Sequence, residues 1–195
     1  MTSTISRTAN PLLDSTDLPR FGEFKVDQTD GALDHLLAEA KTALATATDA
    51  TTEPTWDSVV VPLERAVEQL GRAWGVVGHL SSVNDSAELR EAHNRNLQRV
   101  TQFWTELGQN TALFDRYKAL KDTPAYGALS PARQRIIDNA LRDFRLGGAE
   151  LQSPARERYA EIQARSAALA QKFSENVLDA TNAFECVVAN AAELT

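Results

Sequence analysis

The chain has 195 residues with 43% hydrophobic and 24% charged side chains, the balance of a folded globular protein long enough to bury a sizeable core. Its net charge of -7, with no basic block, excludes a general nucleic-acid binder, which needs a cationic surface to displace counterions. Cys186 is the only cysteine, which excludes an internal disulfide and a Cys-based zinc site, and neither a signal-type apolar segment nor a run of the roughly 20 residues that span a bilayer occurs, so a cytoplasmic protein is expected, with no membrane partner.

Residues 1–27 are polar and carry Pro11 and Pro19, and they read as an extended lead-in. Leu12, Leu13, Leu18, Phe21 and Phe24 are its candidate tethers to the body. From residue 28 to 184 the period is helical. A first helix is predicted from Asp30 to Thr48, with Leu33, Leu36, Leu37, Ala40 and Leu44 on its stripe. A second begins after Pro54 with Thr55 as cap, and Pro62 is expected to kink it or delay its start. Its stripe runs from Trp56 through Val59, Leu63, Leu70 and Trp74 to Leu80. Gly71, Gly75 and Gly78 each cost about 1 kcal/mol against Ala in an exposed helix. They are read as a smooth ridge for the close approach of another helix.

Asp85 and Glu88 have capping-box spacing before a third helix from Ser86 to Leu107. Leu89, His93, Leu97, Val100, Trp104 and Leu107 share one of its faces, and Gly108 is its expected stop. A shorter helix follows from Asn110 to Lys121, then a turn at Pro124 and Gly127. Ser130-Pro131-Ala132-Arg133 and Ser153-Pro154-Ala155-Arg156 repeat one tetrapeptide, read as N-cap chemistry used twice. The first copy opens a helix ending at Gly147-Gly148. The second opens the longest stretch, 154 to 184, whose apolar residues recur at Tyr159, Ile162, Leu169, Phe173, Val177 and Phe184. That stripe is expected to organise the fold, with earlier helices packed on it. The short link predicts that the last two helices form an antiparallel pair. Residues 185–189 read as a short β-like run without a partner strand, the start of a truncated segment, 185–195. The fold class is therefore all-α, an antiparallel bundle of long helices.

The residues show no chemistry of their own. A helical zinc hydrolase carries H-E-x-x-H, with two ligands one turn apart and a catalytic Glu between them. His35, His79 and His93 are not so spaced. His93, on an apolar stripe, is read as a hydrogen-bonded core histidine, and His35 and His79 as structural. Cys186 is read as a buried, inert thiol, and the three tryptophans as core. No nucleophile elbow and no phosphate-binding glycine loop is present. The predicted sites are accordingly none: no catalytic, cofactor-binding or metal residue.

One ordered set of segments does carry a resemblance. IIDNALRDFRLGGAEL (136–151) and RYAEIQARSAALAQKFSENVLDAT (158–181), with NPLL (10–13), LPRF (18–21), PTWD (54–57) and RAWGVVGHLSSV (72–83), resemble the N-terminal part of the thimet-oligopeptidase family of zinc metallopeptidases. The resemblance covers nearly the whole chain. It implies a mostly helical protein of two halves around a channel that admits short peptides, with a zinc-bound water activated by a Glu in the parent protein. It places none of the zinc ligands in these residues. The expected reading is a non-catalytic N-terminal fragment that helps wall the channel. Its partners are then the missing catalytic half and, through uncovered apolar faces, further copies of itself. A standalone helical peptide-binding or regulatory module is the alternative. A site assembled from scattered histidines and carboxylates is a third reading, which predicts bound metal.

Overall fold

The computed structural model describes residues 10–190 and 192. Among them are seven α-helices and no strand. They are α1 (Thr29–Ala47), α2 (Val61–Val83), α3 (Ala87–Gly108), α4 (Thr111–Lys121), α5 (Pro124–Gly127), α6 (Pro131–Leu146) and α7 (Ala155–Ala183). No helix among the described residues is long and apolar enough to cross a membrane.

Local chemistry sets most of the helix starts. Thr55 accepts the Ser58 N–H at 3.1 Å, and Ser58 Oγ accepts the Thr55 N–H at 2.9 Å. One π-helical turn, Trp56–Val60, follows before α2 begins. Pro62 thus falls within the first two positions of α2, where its fixed φ suits the helix. Ser86, Asn110 and Ser130 cap α3, α4 and α6 by accepting the N–H three residues on. The cap of α3 is Ser86 rather than Asp85, because Asp85 is drawn instead to Arg90, 2.5 Å away. At α7 the repeated tetrapeptide does not repeat its job. Pro154 is the N-cap position without a side-chain cap, and Ser153 Oγ turns to Glu157 at 2.9 Å.

The core has two parts. In the first, α1 and α2 lie together through Leu33, Leu36, Ala40, Leu70, Ala73 and Val77, closed by Leu89 and Phe103 of α3. Leu12 and Leu13 of the lead-in are buried here, and Phe24 packs on the edge. Leu18 stays exposed, while Phe21, 43% exposed, lies against the His79 ring of α2. In the second part Val59, Val60 and Leu63 meet α4 and α6 around Leu113, Tyr117, Leu120, Ile137 and Phe144. Ala43, Val67 and Leu107 touch both parts and join them.

The longest helix is not the centre. α7 buries no residue fully, and it packs on α3, not on α6. Its apolar stripe points outward: Ile162 is 49%, Leu169 59%, Phe173 69% and Val177 49% exposed. The seam against α3 uses instead the positions near Gln163, Ala167, Gln171, Glu175 and Leu178, which recur at the same helical period on the other side. Periodicity marked an amphipathic helix correctly, but within this chain the polar side is the one that finds a partner. The αα-hairpin expectation fails as well. Gly148, at φ +91°, turns the chain so that α7 leaves α6 and crosses to α3.

The glycine ridge is also reversed. A Cβ added at Gly71, Gly75 or Gly78 would meet nothing within 4 Å. The three lie on the side of α2 turned away from Leu70, Ala73 and Val77. The close glycine contact is elsewhere: a Cβ on Gly147 would lie 3.1 Å from the Gly108 carbonyl oxygen. The β-like run predicted at residues 185–189 is irregular and exposed, since no second strand is present to pair it. The last part of that segment, like residues 1–9, lies outside the described residues.

Candidate functional site

The main concavity is a groove of about 810 Å³ between α3 and α7. The two helices are pinned at both ends, and the groove follows one side of the seam between them. At one end Arg156 Nη2 donates to the Gln109 carbonyl at 2.5 Å, and Gln109 Nε2 donates to the Arg156 carbonyl at 3.3 Å. At the other end Asn94 Nδ2 donates to Glu175 Oε1 at 2.8 Å. One turn further, Arg90 bridges Asp179 and Asp85. These carboxylates respond to their partners. The Asn94 amide holds the Glu175 carboxyl below its usual range, and the Arg90 guanidinium does the same for Asp179. Arg90, gripped by Asp179 and Asp85, is pushed further up.

Between the pins, α7 offers Ala160, Ala164, Ala167 and Ala168, which form a low, nearly flat wall. Facing them on α3 are Gln98, Thr101, Gln102 and Thr105, with the half-buried Leu97. Gln102 Nε2 donates to Glu106 Oε1 at 2.7 Å and Thr105 Oγ1 to the Thr101 carbonyl at 2.9 Å. From Asn94 to Gln109 the groove runs along about 22 Å of helix. Its chemistry is an alanine wall edged by Glu161, Lys172 and Glu175, opposite a row of amides and hydroxyls with Glu106 beside them. That suits an extended chain with main-chain hydrogen-bonding groups along its length.

The histidines are dispersed over the fold. His93 is 6% exposed and stacks on Trp74, ring centroids 4.5 Å apart and planes 17° from parallel. Burial pushes its imidazole below the ordinary 6.5, against the hydrogen bond to Asn94 and the Glu175 charge. Its Nδ1 has no hydrogen-bond partner among the described residues, so its core role rests on stacking more than on hydrogen bonding. His79 packs beside Phe21, ring centroids 5.4 Å apart, and His35 Nε2 lies 3.3 Å from Glu39 Oε1. No group of three His, Cys, Asp or Glu side chains among the described residues has the geometry to hold a metal. The described residues therefore do not fit a zinc ion.

Other readings of single residues change. Cys186 is exposed, on an irregular segment whose described residues are all exposed. Trp56, Trp74 and Trp104 are only partly covered. Trp56 lies beneath the Arg133 guanidinium, 5.0 Å from ring centroid to Cζ, and Trp104 is exposed beside Phe103. A polar seam not foreseen in the sequence ties α3 to α1. The buried Asn96 donates to Asp30 at 2.5 Å and to the Ala92 carbonyl at 2.8 Å, and it accepts from Arg99 at 2.8 Å. Arg95 reaches Asp30 at 3.0 Å, and Arg99 pairs with Asp34. The available signal was the spacing of Asn96 from Leu89, Ala92, Val100 and Phe103, which puts it on their face.

The described residues thus form an all-helical bundle with an open, polar-edged groove between α3 and α7. The chain belongs to the neurolysin/thimet oligopeptidase N-terminal domain family, whose model matches residues 33–172. It is 38% identical over 188 residues to oligopeptidase A of Haemophilus influenzae, covering 95% of this chain and 27% of that protein. Against oligopeptidase A of Escherichia coli the identity is 35% over 185 residues, again 95% of this chain and 27% of the relative. A probable cytosolic oligopeptidase A of Arabidopsis thaliana is 33% identical over 194 residues, 100% of this chain and 28% of the relative. The chain thus spans about a quarter of the length of these relatives.

Proposed function

We propose that these residues form a non-catalytic N-terminal part of an oligopeptidase A-like zinc peptidase, in which they wall the path of short peptide substrates. The observation that carries this reading is the match along nearly the whole chain to oligopeptidases almost four times as long, by a sequence without H-E-x-x-H. On this reading residues 28–184 are the helical domain, residues 1–27 its lead-in, and residues 185–195 the start of a further segment. The metal and the groups that move protons belong to the remainder of the longer protein, and the compartment is cytoplasmic.

The α3–α7 groove is the stretch of wall that would meet the peptide. An extended chain advances about 3.3 Å per residue, so about 22 Å of groove accommodates some six or seven residues. Gln98, Thr101, Gln102 and Thr105 would hydrogen-bond the peptide main chain, and the alanines would tolerate many side chains. The groove would thus contribute length selection and positioning. Proton transfer and carbonyl polarisation would come from elsewhere.

The test uses a quenched peptide of about seven residues. The 195-residue chain alone, with or without added zinc, is expected to show no turnover. The longer protein is expected to turn the peptide over and to lose that activity to a chelator. An Ala164→Trp substitution, which fills the groove, should raise KM for seven-residue peptides more than for tripeptides. Zinc-dependent turnover by the isolated chain would overturn the reading.

A further inference from the structure

A second concavity, of about 490 Å³, lies where the end of α2, the start of α3 and the C-terminal half of α7 meet. It shares only Gln171 and Glu175 with the α3–α7 groove. Gly78 keeps its α2 side open, since a Cβ there would meet nothing within 4 Å. Phe173 and Val177 give it an apolar wall on α7. His93 of α3 and Asp85 of the connection before α3 line it as well.

Hydrogen bonding around this hollow is out of balance. His93 Nδ1 and Asp85 Oδ1 are both buried without a partner. His93 is more than nine-tenths buried, and its stacking on Trp74 holds the ring. Burial favours the neutral imidazole, in which one ring nitrogen is an acceptor. Asp85 uses its other oxygen, Oδ2, on Arg90. The donors nearby are already engaged. Arg90 spends both terminal nitrogens on Asp85 and Asp179, and Gln171 donates to Glu175 at 3.2 Å. The Ser82 and Thr181 hydroxyls donate to the Gly78 and Val177 carbonyls of their own helices. What the lining lacks is therefore a donor, and buried acceptors without one are costly. Charge asks for the same group. Asp85 and Glu175 line the hollow against the single cation Arg90, while Lys172 lines the groove instead.

We propose that this hollow binds a primary ammonium group carried on a short aliphatic chain. The ammonium would supply the donors that Asp85 and His93 lack, as charge-assisted hydrogen bonds. The chain would lie against Phe173 and Val177. Either a small free amine or the amino terminus of a short peptide offers this chemistry.

The inference is tested by titrating the chain with n-butylamine, n-butanol and butyrate. At about pH 7.5 the imidazole is neutral and the amine charged. Binding is followed on the His93 imidazole by NMR, assigned through His93→Phe. Butylamine is expected to shift that resonance and to bind at least about tenfold tighter than butanol or butyrate. Asp85→Asn should weaken butylamine about tenfold and leave butanol unchanged. Gly78→Phe, which fills the hollow, should abolish binding while far-UV circular dichroism stays unchanged. A tetrapeptide with a free amino terminus, set beside its acetylated form, separates the two sources. If only the free form binds, and more tightly than butylamine, the ligand is a peptide terminus; weaker binding than butylamine assigns the hollow to small amines. Equal binding of butylamine and butanol, tighter binding of butyrate, or an unmoved His93 resonance would each overturn the inference, and all three are read on the unmodified chain. None of these readouts depends on peptidase activity, so the groove reading stands or falls separately.

Discussion

Arg90 of α3 holds Asp179 of α7 with both terminal guanidinium nitrogens, Nη2 to Oδ1 at 2.7 Å and Nη1 to Oδ2 at 3.0 Å. The same Nη2 also donates to Asp85, 2.5 Å away. Bidentate arginine–carboxylate pairs add geometric definition as well as attraction. Here that definition matters because α7 has no fully buried side chain to seat it.

Arg90→Ala is therefore expected to loosen the C-terminal half of α7 without unfolding the body. Hydrogen exchange should speed up over residues 170–183 and stay unchanged over α1 and α2. A uniform rise across all helices would show instead that α7 is part of the cooperative core.

The same contact has a pH sign. Hydrogen bonds from Arg90 and Asn94 hold the folded carboxyls of Asp179 and Glu175 below their ordinary values of 3.8 and 4.5. A depressed folded value means that the contribution is complete above the ordinary range and is lost as pH falls through and below it. Exchange protection of α7 should fall on acidification from pH 5 toward pH 3, before that of α1. Asp179→Asn should remove much of this difference.

His93 titrates in a higher window. Its burial against Trp74 lowers the folded value below 6.5, so protonation favours the unfolded chain. Stability should decline as pH falls below about 6.5, down to the folded value. The denaturation midpoint of His93→Phe, which keeps a ring against Trp74, should be flatter between pH 7 and pH 5. Unchanged pH dependence would contradict a buried neutral imidazole.

Leu70 and Phe173 should behave oppositely. Leu70 is completely buried between α1 and α2, and Leu70→Ala should cost about 2–5 kcal/mol in chemical denaturation. Phe173→Ala, on the outer face of α7, should stay within about 0.5 kcal/mol. Comparable losses would mean that the stripe of α7 is covered in solution.

Glycine substitutions distinguish free surface from a required turn. Gly75→Ala adds a methyl into open space within a helix and should stabilise by roughly 0.5–1 kcal/mol. Gly148→Ala forces a side chain onto φ +91° with its Cβ 2.9 Å from Leu151 Cδ1, and should destabilise. Thermal melts of the two variants should shift in opposite directions.

What the sequence by itself determined is local in origin. The helical period, the caps at Thr55 and Ser130, the stop at Gly147-Gly148 and the buried stripes of α1 and α2 follow from residues within a few turns of one another. The ordered family resemblance was also legible, because it rests on the order of segments and needs no contact map. The absence of an H-E-x-x-H was equally plain.

The tertiary structure decided which faces meet. Periodicity states that Ile162, Leu169, Phe173 and Val177 share a side, but it does not say whether that side finds a partner within the chain. The polar seam of Asn94, Glu175, Arg90 and Asp179 seats α7 on α3, so the alanines line a groove and the apolar row faces outward. Residues 81 and 89 positions apart create that seam, and no local pattern encodes the distance between them. The outward glycines of α2 and the exposed Cys186 have the same origin: burial is set by what packs against a residue, and that is a property of the assembled helices.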